Sequence, residues 1–370
     1  FTTGGPVYKR PYNLPDYDIG DPVKLPPYPV NIEKQIIDII SQPEVASKDW
    51  VIRQYDHEVR GKTALKPIQG PIGKEVPGDS SVIKPVDNSW KGLALTSDIN
   101  PYLMEANPYH GTMSAVEEVC RNLASVGARI DSLADCLCFG NPRRPEIMGQ
   151  FKASCEALRD AAVAVDVPYV SGNVSLYNET QEGAIPPTPV LMGIGLVNDI
   201  RKCVTSDMKS EGSIWLVGQT KEEMGASLYY RTLGIDCPKV PATNFNAFLP
   251  RMEQLIQAIE NGEVVACHDI SNGGLALSII EMCMSGIGAE ISFDSKLRSD
   301  IELFSESNGR WIVQVAPGHE DNFSKRFDFS KKIGEVNDKI IFNSNDEEIA
   351  KFDIEYIREK WTNPIWERLA

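Results

Sequence analysis

The stretch Val167-Pro168-Tyr169-Val170-Ser171-Gly172-Asn173-Val174-Ser175-Leu176-Tyr177-Asn178-Glu179 decides how this chain is read. It opens as an apolar strand, Val167–Val170, and changes abruptly to small and polar residues at Ser171, Gly172, Asn173 and Ser175. A strand that ends this way delivers a ligand loop. Gly172, lacking a Cβ, lets the backbone approach a bulky group closely. Asn173 offers an amide oxygen to a hard cation. Ser175 offers a hydroxyl that donates and accepts. Ser, Gly and Asn are also ordinary turn residues after a core strand, so the loop has to be read with its neighbours.

Outward from this stretch the chain alternates strands and helices. Upstream, Pro145–Val165 spaces Ile147, Phe151, Cys155, Leu158, Ala162 and Val165 as one helical face. The strand before it, Ile130–Leu137, carries Asp135 near its end and runs into Phe139-Gly140-Asn141-Pro142. A helix before that repeats Met113, Val116, Val119, Cys120, Leu123 and Val126 at threes and fours, with Thr112 or Ser114 as cap and Gly127 as stop. Gly92–Asp98 reads as a buried strand ending on a carboxylate. Pro187–Asn198 closes this set with another strand. The rhythm predicts an α/β (α+β) domain.

A second set follows, with strands at Ile214–Val217, Val264–Cys267, Ala289–Phe293, Trp311–Ala316 and Lys339–Phe342. Helices are predicted over Glu222–Leu233, Phe245–Asn261 and Phe352–Trp361, and from the glycines after His268 to Met284. The predicted organisation is a Pro-rich connector and helix over 1–48, one domain over 49–200, a second over 201–345, and a helical tail over 346–370. The connector holds seven prolines in its first thirty residues, and Ile32–Ile40 has helical apolar spacing.

Composition narrows the function. The 370 residues carry 37 Lys and Arg against 52 Asp and Glu, a formal charge of −15. That argues against a nucleic-acid partner, which needs a basic face, but leaves room for a small phosphate ligand on backbone amides or a metal. No apolar run approaches the roughly 20 residues of a bilayer span, and no signal peptide is visible. The start at Phe1, without Met, suggests a processed chain or a fragment. Eight scattered cysteines, with only Cys136 and Cys138 close together, fit free thiols in a reducing cytoplasm.

Three strand ends converge in kind: Asp98, Asp135 and Gly172–Asn173. Strands in one sheet would bring them to a common rim, where carboxylates and an Asn oxygen suit Mg²⁺ together with substrate phosphates. Each residue taken singly is also a good cap or turn former. Neither a Gly-x₄-Gly-Lys-Ser/Thr loop nor a Gly-x-Ser-x-Gly elbow is present. A second candidate is His268-Asp269-Ile270-Ser271-Asn272-Gly273-Gly274, whose glycines and helix start could hold an anion. It reads equally as a turn capped by Ser271 or Asn272. Glu306-Ser307-Asn308-Gly309-Arg310 is similarly ambiguous, with Arg310 readable as a solvated charge.

Taken together, several motifs resemble one family: the synthetase subunit of phosphoribosylformylglycinamidine synthase, of the small multi-subunit type. They are Arg53-Gln54-Tyr55-Asp56-His57-Glu58-Val59, Pro101–Gly111, Glu118–Ala128, Asp135–Pro142, Ser171–Glu179, Pro187-Thr188-Pro189 and His268–Leu275. The His-Asp-x-Ser-x-Gly-Gly element is shared more widely, with aminoimidazole ribonucleotide synthetase and its superfamily. The resemblance is to the second half of a duplicated subunit, with Gly4-Gly5-Pro6-Val7-Tyr8 similar to the connector between halves. It implies an aminoimidazole ribonucleotide synthetase-like fold, an N-terminal α/β domain whose sheet pairs with a partner half, then a C-terminal α/β domain.

By that resemblance Asp135 and Gly172 contact ATP, Asn173 binds Mg²⁺ and Ser175 touches the ribonucleotide. His268, Asp269, Ser271, Gly273, Gly274, Glu306 and Ser307 line an auxiliary nucleotide or structural site. Cys138 departs from the family, which has Asn there. The implied reaction, in de novo purine biosynthesis, is ATP-dependent conversion of formylglycinamide ribonucleotide and ammonia to the amidine through a phosphorylated amide. The first half would supply the catalytic His motif, which this chain lacks. A glutaminase subunit would supply ammonia, with a small bridging subunit between them. The competing readings are a non-catalytic nucleotide-binding scaffold and another superfamily kinase or synthetase acting alone.

Overall fold

A computed structural model describes residues 8–14, 25–29, 31–237, 239–294 and 296–369. Gly4–Val7 of the connector-like opening, like much of the Pro-rich segment, lies outside the described residues. Helix α1 (Ile32–Ile40) forms as expected, capped by the Asn31 side chain, which accepts from the Lys34 N–H.

The first sheet has six strands: β1 (Thr63–Leu65), β2 (Ser81–Ile83), β3 (Gly92–Asp98), β4 (Arg129–Cys138), β5 (Tyr169–Ser175) and β6 (Thr188–Val197). Their order is β1-β2-β3-β6-β4-β5, so β5 is an edge. Helices α2 (Pro108–Ser125) and α3 (Pro145–Val165) cover one face. Glycines on β6 let α2 come close, since a Cβ on Gly193 would stand 2.3 Å from Val119 Cγ1. The opposite face carries half-buried Leu93, Leu95, Cys136, Val190, Met192 and Ile194 and exposed Leu196, with nothing packed over them among the described residues.

α2 begins earlier than the sequence predicts. Asn107 accepts the His110 N–H at 3.0 Å and Pro108 takes the first helical position. Asn-Pro is the stronger start signal, so Thr112 and Ser114 lie inside the helix. Gly127 ends it in the left-handed region, as expected.

The second sheet has seven strands: β7 (Ser213–Val217), β8 (Val264–Asp269), β9 (Gly288–Phe293), β10 (Trp311–Val315), β11 (Ser330–Asn337), β12 (Ile340–Ser344) and β13 (Glu347–Phe352). Their order is β8-β10-β7-β11-β9-β12-β13. β8, β10 and β7, at one end of this order, are buried on both faces, whereas β11 in the middle carries Lys331, Lys332 and Glu335 exposed. Trp215, Val217, Val313 and Val315 join the core that continues to α2 through α4 (Phe245–Glu260), and Ile214, Leu216 and Ile312 join a second core beneath α1 and α5 (Gly274–Cys283). Phe248 on α4 stacks on Trp311, centroids 5.6 Å apart.

Two predicted helices shrink. The one expected over Glu222–Leu233 is only Leu228–Thr232, because Ala226 sits at φ 56° and Ser227 caps the short helix after it. The stretch 346–370 is not wholly helical: Glu347–Phe352 pairs with β12 as β13, and helix resumes at Ile354–Thr362. No described helix is long and apolar enough to cross a membrane.

Candidate functional site

β3 and β4 are each antiparallel to β6, and β5 is parallel to β4, so β3, β4 and β5 share a direction and a C-terminal margin. Leu191 pairs with Asp98 on one side and Asp135 on the other, and Asp135 pairs with Gly172. Asp98, Leu191, Asp135 and Gly172 therefore form one row across four strands. The register next pairs Cys136 with Asn173, and further on Cys138 with Ser175.

The row does not make a single pocket. Successive strand residues face opposite sides of a sheet. The Asp135 carboxylate lies over Gly172 on the helix-covered side, where a Cβ on Gly172 would come 2.6 Å from Asp135 Oδ2. Asn173 and Ser175 stand on the uncovered side with Cys136 and Cys138. The expected ligand loop is thus a strand: β5 starts at Tyr169, after Pro168, which has no N–H for the ladder, and runs to Ser175. A register shift between Leu133 and Ala134 passes over Val170. As an edge strand, β5 leaves Val170–Val174 exposed.

Burial raises the Asp135 carboxyl above its ordinary range, against the Asn173 N–H that favours the charged form. Ser175 donates to Asn178 Oδ1 at 3.2 Å, and Asn178 Nδ2 donates to the carbonyls of Phe139 at 3.0 Å and Ser175 at 2.9 Å. Tyr177, at φ 65°, donates its N–H to Gly140 at 3.0 Å. The segment after β5 is thereby tied to Phe139-Gly140, which steadies the end of the strand. The Cys136 and Cys138 sulfurs are 3.9 Å apart on the uncovered face.

The second candidate group is buried where the two sheets' helices meet. His268 Nδ1 lies 2.6 Å from Asp79 Oδ1, and Nε2 lies 3.1 Å from Glu281 Oε2. Burial alone would lower the His268 pKa, but Asp79 and Glu281 outweigh it and raise it well above the usual imidazole value. Asp269 Oδ2 receives Arg121 Nε at 3.1 Å, and Arg121 also pairs with Glu118 at 3.2 Å and closely with Glu117. Burial pushes Asp98 up to about 7 and Glu117 up to about 6. Asp79, His268 and Asp269 place ligand atoms within 4.8 Å of one another, close enough for a metal. Yet His268 is engaged on both nitrogens, and the Arg121 guanidinium already sits against Asp269 as a counter-cation.

The glycine turn after β8 is likewise filled from within. Gly273, at φ 78°, heads α5 without a side-chain cap, so neither Ser271 nor Asn272 caps it. Asn272 instead accepts Asn100 Nδ2 at 2.9 Å. The anion at the turn is Glu306, whose Oε1 accepts the Gly273 and Leu228 N–H groups, each at 2.8 Å. Burial holds Glu306 up at about 7 against those two donors. Ser307 Oγ accepts the Lys221 N–H at 3.2 Å. Arg310 is not solvated: fully buried, it donates to the Ser307 carbonyl at 2.8 Å, Thr220 Oγ1 at 3.0 Å and the Ser305 carbonyl at 2.5 Å.

Sequence reading missed Asp79, Glu117, Glu118, Arg121 and Glu281. The available signal was a Glu-Glu-x-x-Arg run set among the apolar positions of a buried helix, where unpaired charges are too costly to keep.

The description "AIR synthase related protein, N-terminal domain" matches residues 77–197, and "AIR synthase related protein, C-terminal domain" matches 213–342, together about two thirds of the chain. A curated relative from Thermococcus sibiricus, "Phosphoribosylformylglycinamidine synthase subunit PurL", is 40% identical over 350 residues, covering 92% of this chain and 47% of its own length. The relative of that name from Methanothrix thermoacetophila is 35% identical, covering 99% of this chain and 49% of its own length. The chain therefore spans about half the length of the curated relatives it matches. Among solved structures, "T. maritima PurL complexed with FGAR" aligns with a TM-score of 0.71 at 16% identity, over 89% of this chain and 54% of that one. A HypE–HypF complex aligns with a TM-score of 0.55 at 17% identity, over 72% of this chain and 90% of that one. At these identities the structures show the fold alone.

Proposed function

Because the chain belongs to the AIR synthase related family, we propose that it is the second half of a phosphoribosylformylglycinamidine synthase subunit, a cytoplasmic C–N ligase of purine biosynthesis. The observation that carries this is the match of nearly the whole chain, at 35–40% identity, to half of relatives bearing that name. The domain division at about residue 200 belongs to the same proposal.

The reaction is ATP-dependent amidine formation. The amide oxygen of formylglycinamide ribonucleotide is phosphorylated, and ammonia then displaces phosphate. Such chemistry rests on positioning and on neutralising phosphate charge. In this chain the exposed edge strand β5 does the positioning. Gly172 leaves room for the Asp135 carboxylate beside it, and the pair meets ATP at the exposed edge of the strand. Asn173 and Ser175, two apart on one face and so about 6.6 Å apart along the strand, address the metal and the ribonucleotide from the same side. The exposed Asn173 amide oxygen fits Mg²⁺, which takes one or two protein oxygens beside substrate phosphates and would there spread the phosphate's developing charge. The structural neighbours' names include complexes of T. maritima PurL with ATP, ADP and AMPPCP, which supports a nucleotide ligand.

The bare face of the first sheet, Leu93 to Leu196, is where the first half would pack, completing the site with its own catalytic residues. A glutaminase subunit and a small bridging subunit would deliver ammonia; a structure named "Structure of PurLQS from Thermotoga maritima" is among the neighbours and supports an assembly of this kind. The His268–Gly274 and Glu306–Ser307 group acts structurally, its ligand positions being met by Arg121 and Glu306.

The test is to mix this chain with the first-half polypeptide and assay ATP-dependent amidine formation from ammonium. The pair should turn over, and Asn173→Ala should reduce the rate by about a hundredfold or more with an unchanged melting temperature. A folded complex that never turns over would favour the scaffold reading.

A further inference from the structure

The C-terminal domain contains a cleft that the proposed reaction does not use. Its outer part, about 550 Å³, is floored by Leu216, Gly218 and Leu297 beside Phe329. A neighbouring cavity of about 190 Å³ shares Gln219, Lys221 and Phe329 with it and is lined on its far side by Glu117, Arg251 and Asn308. The walls are fixed before any ligand arrives. Gly218, at φ 96°, packs so tightly that a Cβ would stand 2.4 Å from the Gly309 carbonyl. Its N–H is held by the Phe329 carbonyl at 2.9 Å, and Arg310 pins the next turn through Thr220 Oγ1 at 3.0 Å.

The charges of this cleft run against the rest of the molecule. In a chain of net charge −15, Lys221, Lys296 and Lys331 gather on the outer part and Arg251 on the inner. Asp328 and Glu302 line the outer part too. The lysine partners are loose: Lys221 is 3.6 Å from Glu223, and Lys331 donates to the Asp294 carbonyl at 3.1 Å. Arg251 donates to the Gly309 carbonyl at 2.9 Å, with its guanidinium 5.9 Å from the Phe329 ring. At the inner end Glu117 is fully buried with one oxygen on Arg121; its Oε1 makes no close hydrogen bond, and the Gly309 backbone favours its charged form. A buried acceptor left unpaired costs free energy unless a ligand donor meets it.

We propose that this cleft is a second small-molecule site, taking a phosphate ester with a flat body and an amine or amide N–H. The phosphate meets the lysines, as charge-assisted hydrogen bonds favour. The ring lies on Phe329 and Leu297, and the N–H donor reaches toward Glu117. This goes beyond the edge-strand site, which lies on another sheet and uses none of these residues.

The test is calorimetric titration of the chain, alone and paired with the first half, using AMP as probe beside adenosine and inorganic phosphate. AMP should bind, and the two fragments should bind at least about tenfold more weakly. Lys221→Glu combined with Lys331→Glu, both solvent-facing, should weaken AMP by about tenfold or more without lowering the melting temperature, while Asn173→Ala should leave it unchanged. The proposal is overturned if AMP does not bind, if the double lysine variant binds as wild type does, or if Asn173→Ala rather than the lysine pair removes binding. In that last case the nucleotide belongs to the edge strand, and the two sites' fates separate.

Discussion

The two sheets of this molecule carry similar chemistry and finish it differently. The second sheet is covered on both faces at β8, β10 and β7, and the acid- and glycine-rich loops at the ends of those strands are satisfied internally: Glu306 fills the Gly273 turn, and Arg121 answers Asp269. The first sheet is covered on one face only, and its edge strand presents Gly172, Asn173 and Ser175 with the Asn173 side chain free to solvent. Similar residue types thus form a closed structural network in one place and an open binding edge in the other. What separates them is whether the fold itself supplies the counter-charge.

The largest effect that would sharpen this contrast is at Arg121. Arg121→Leu leaves Glu117 buried without its ion-pair partner and Asp269 with only the more distant His268, at 3.8 Å, and should cost roughly 3–5 kcal/mol in urea unfolding at neutral pH. A loss under about half a kcal/mol would mean the network is not what joins the two domains.

Next comes the pH dependence of Glu306. Its carboxyl sits at about 7 in the folded chain, against an ordinary value of 4.5. The unfolded chain gives up this proton first, so the group's contribution to stability is lost as pH rises from about 4.5 to 7, by something on the order of 3 kcal/mol. His268, also raised, runs the same way: its stabilisation is full below about 6.5 and is lost as pH rises through its folded value. Glu306→Gln keeps an acceptor for Gly273 and Leu228, and should flatten the stability profile between pH 4.5 and 7. An unchanged profile would mean Glu306 is already ionised, with its charge met by the turn.

On the open side the stability effects should be smaller. Gly172→Ala would push a methyl toward Asp135, which is only partly buried and can yield; a cost of about 1–2 kcal/mol in thermal unfolding is expected. Asn173→Ala should change stability by less than about 0.5 kcal/mol, because the residue is exposed on an edge strand. Leu196→Asp, on the bare face, should leave the isolated chain's melting temperature within a degree or so yet weaken association with the first half, readable by sedimentation. If it associates normally, that face is not the joint.

Much of this was legible in the sequence. Period-3.6 spacing located α3 to the residue, and the strand ending at Asp98 was bounded correctly. The common margin of β3, β4 and β5 was expected from their polar endings. The facing of the side chains was not, because it depends on register: one residue decides the face, and the passage over Val170 is invisible without the partner strand. The internal answers to His268 and Gly273 were hidden for a related reason. Asp79, Arg121 and Glu306 reach them from distant parts of the chain, and a turn that could hold an external phosphate reads the same as one that holds its own carboxylate. Arg310 looked solvated because nothing local shows that three carbonyl and hydroxyl oxygens converge on it.

The most direct test is amide hydrogen exchange across the chain paired with its first half, with and without Mg-ATP and formylglycinamide ribonucleotide. The edge-strand account predicts ligand-dependent protection at the Gly172–Ser175 amides, with those of Gly273 and Gly274 already slow and unchanged. Protection that appears at Gly273–Gly274 while the edge strand exchanges as before would contradict it.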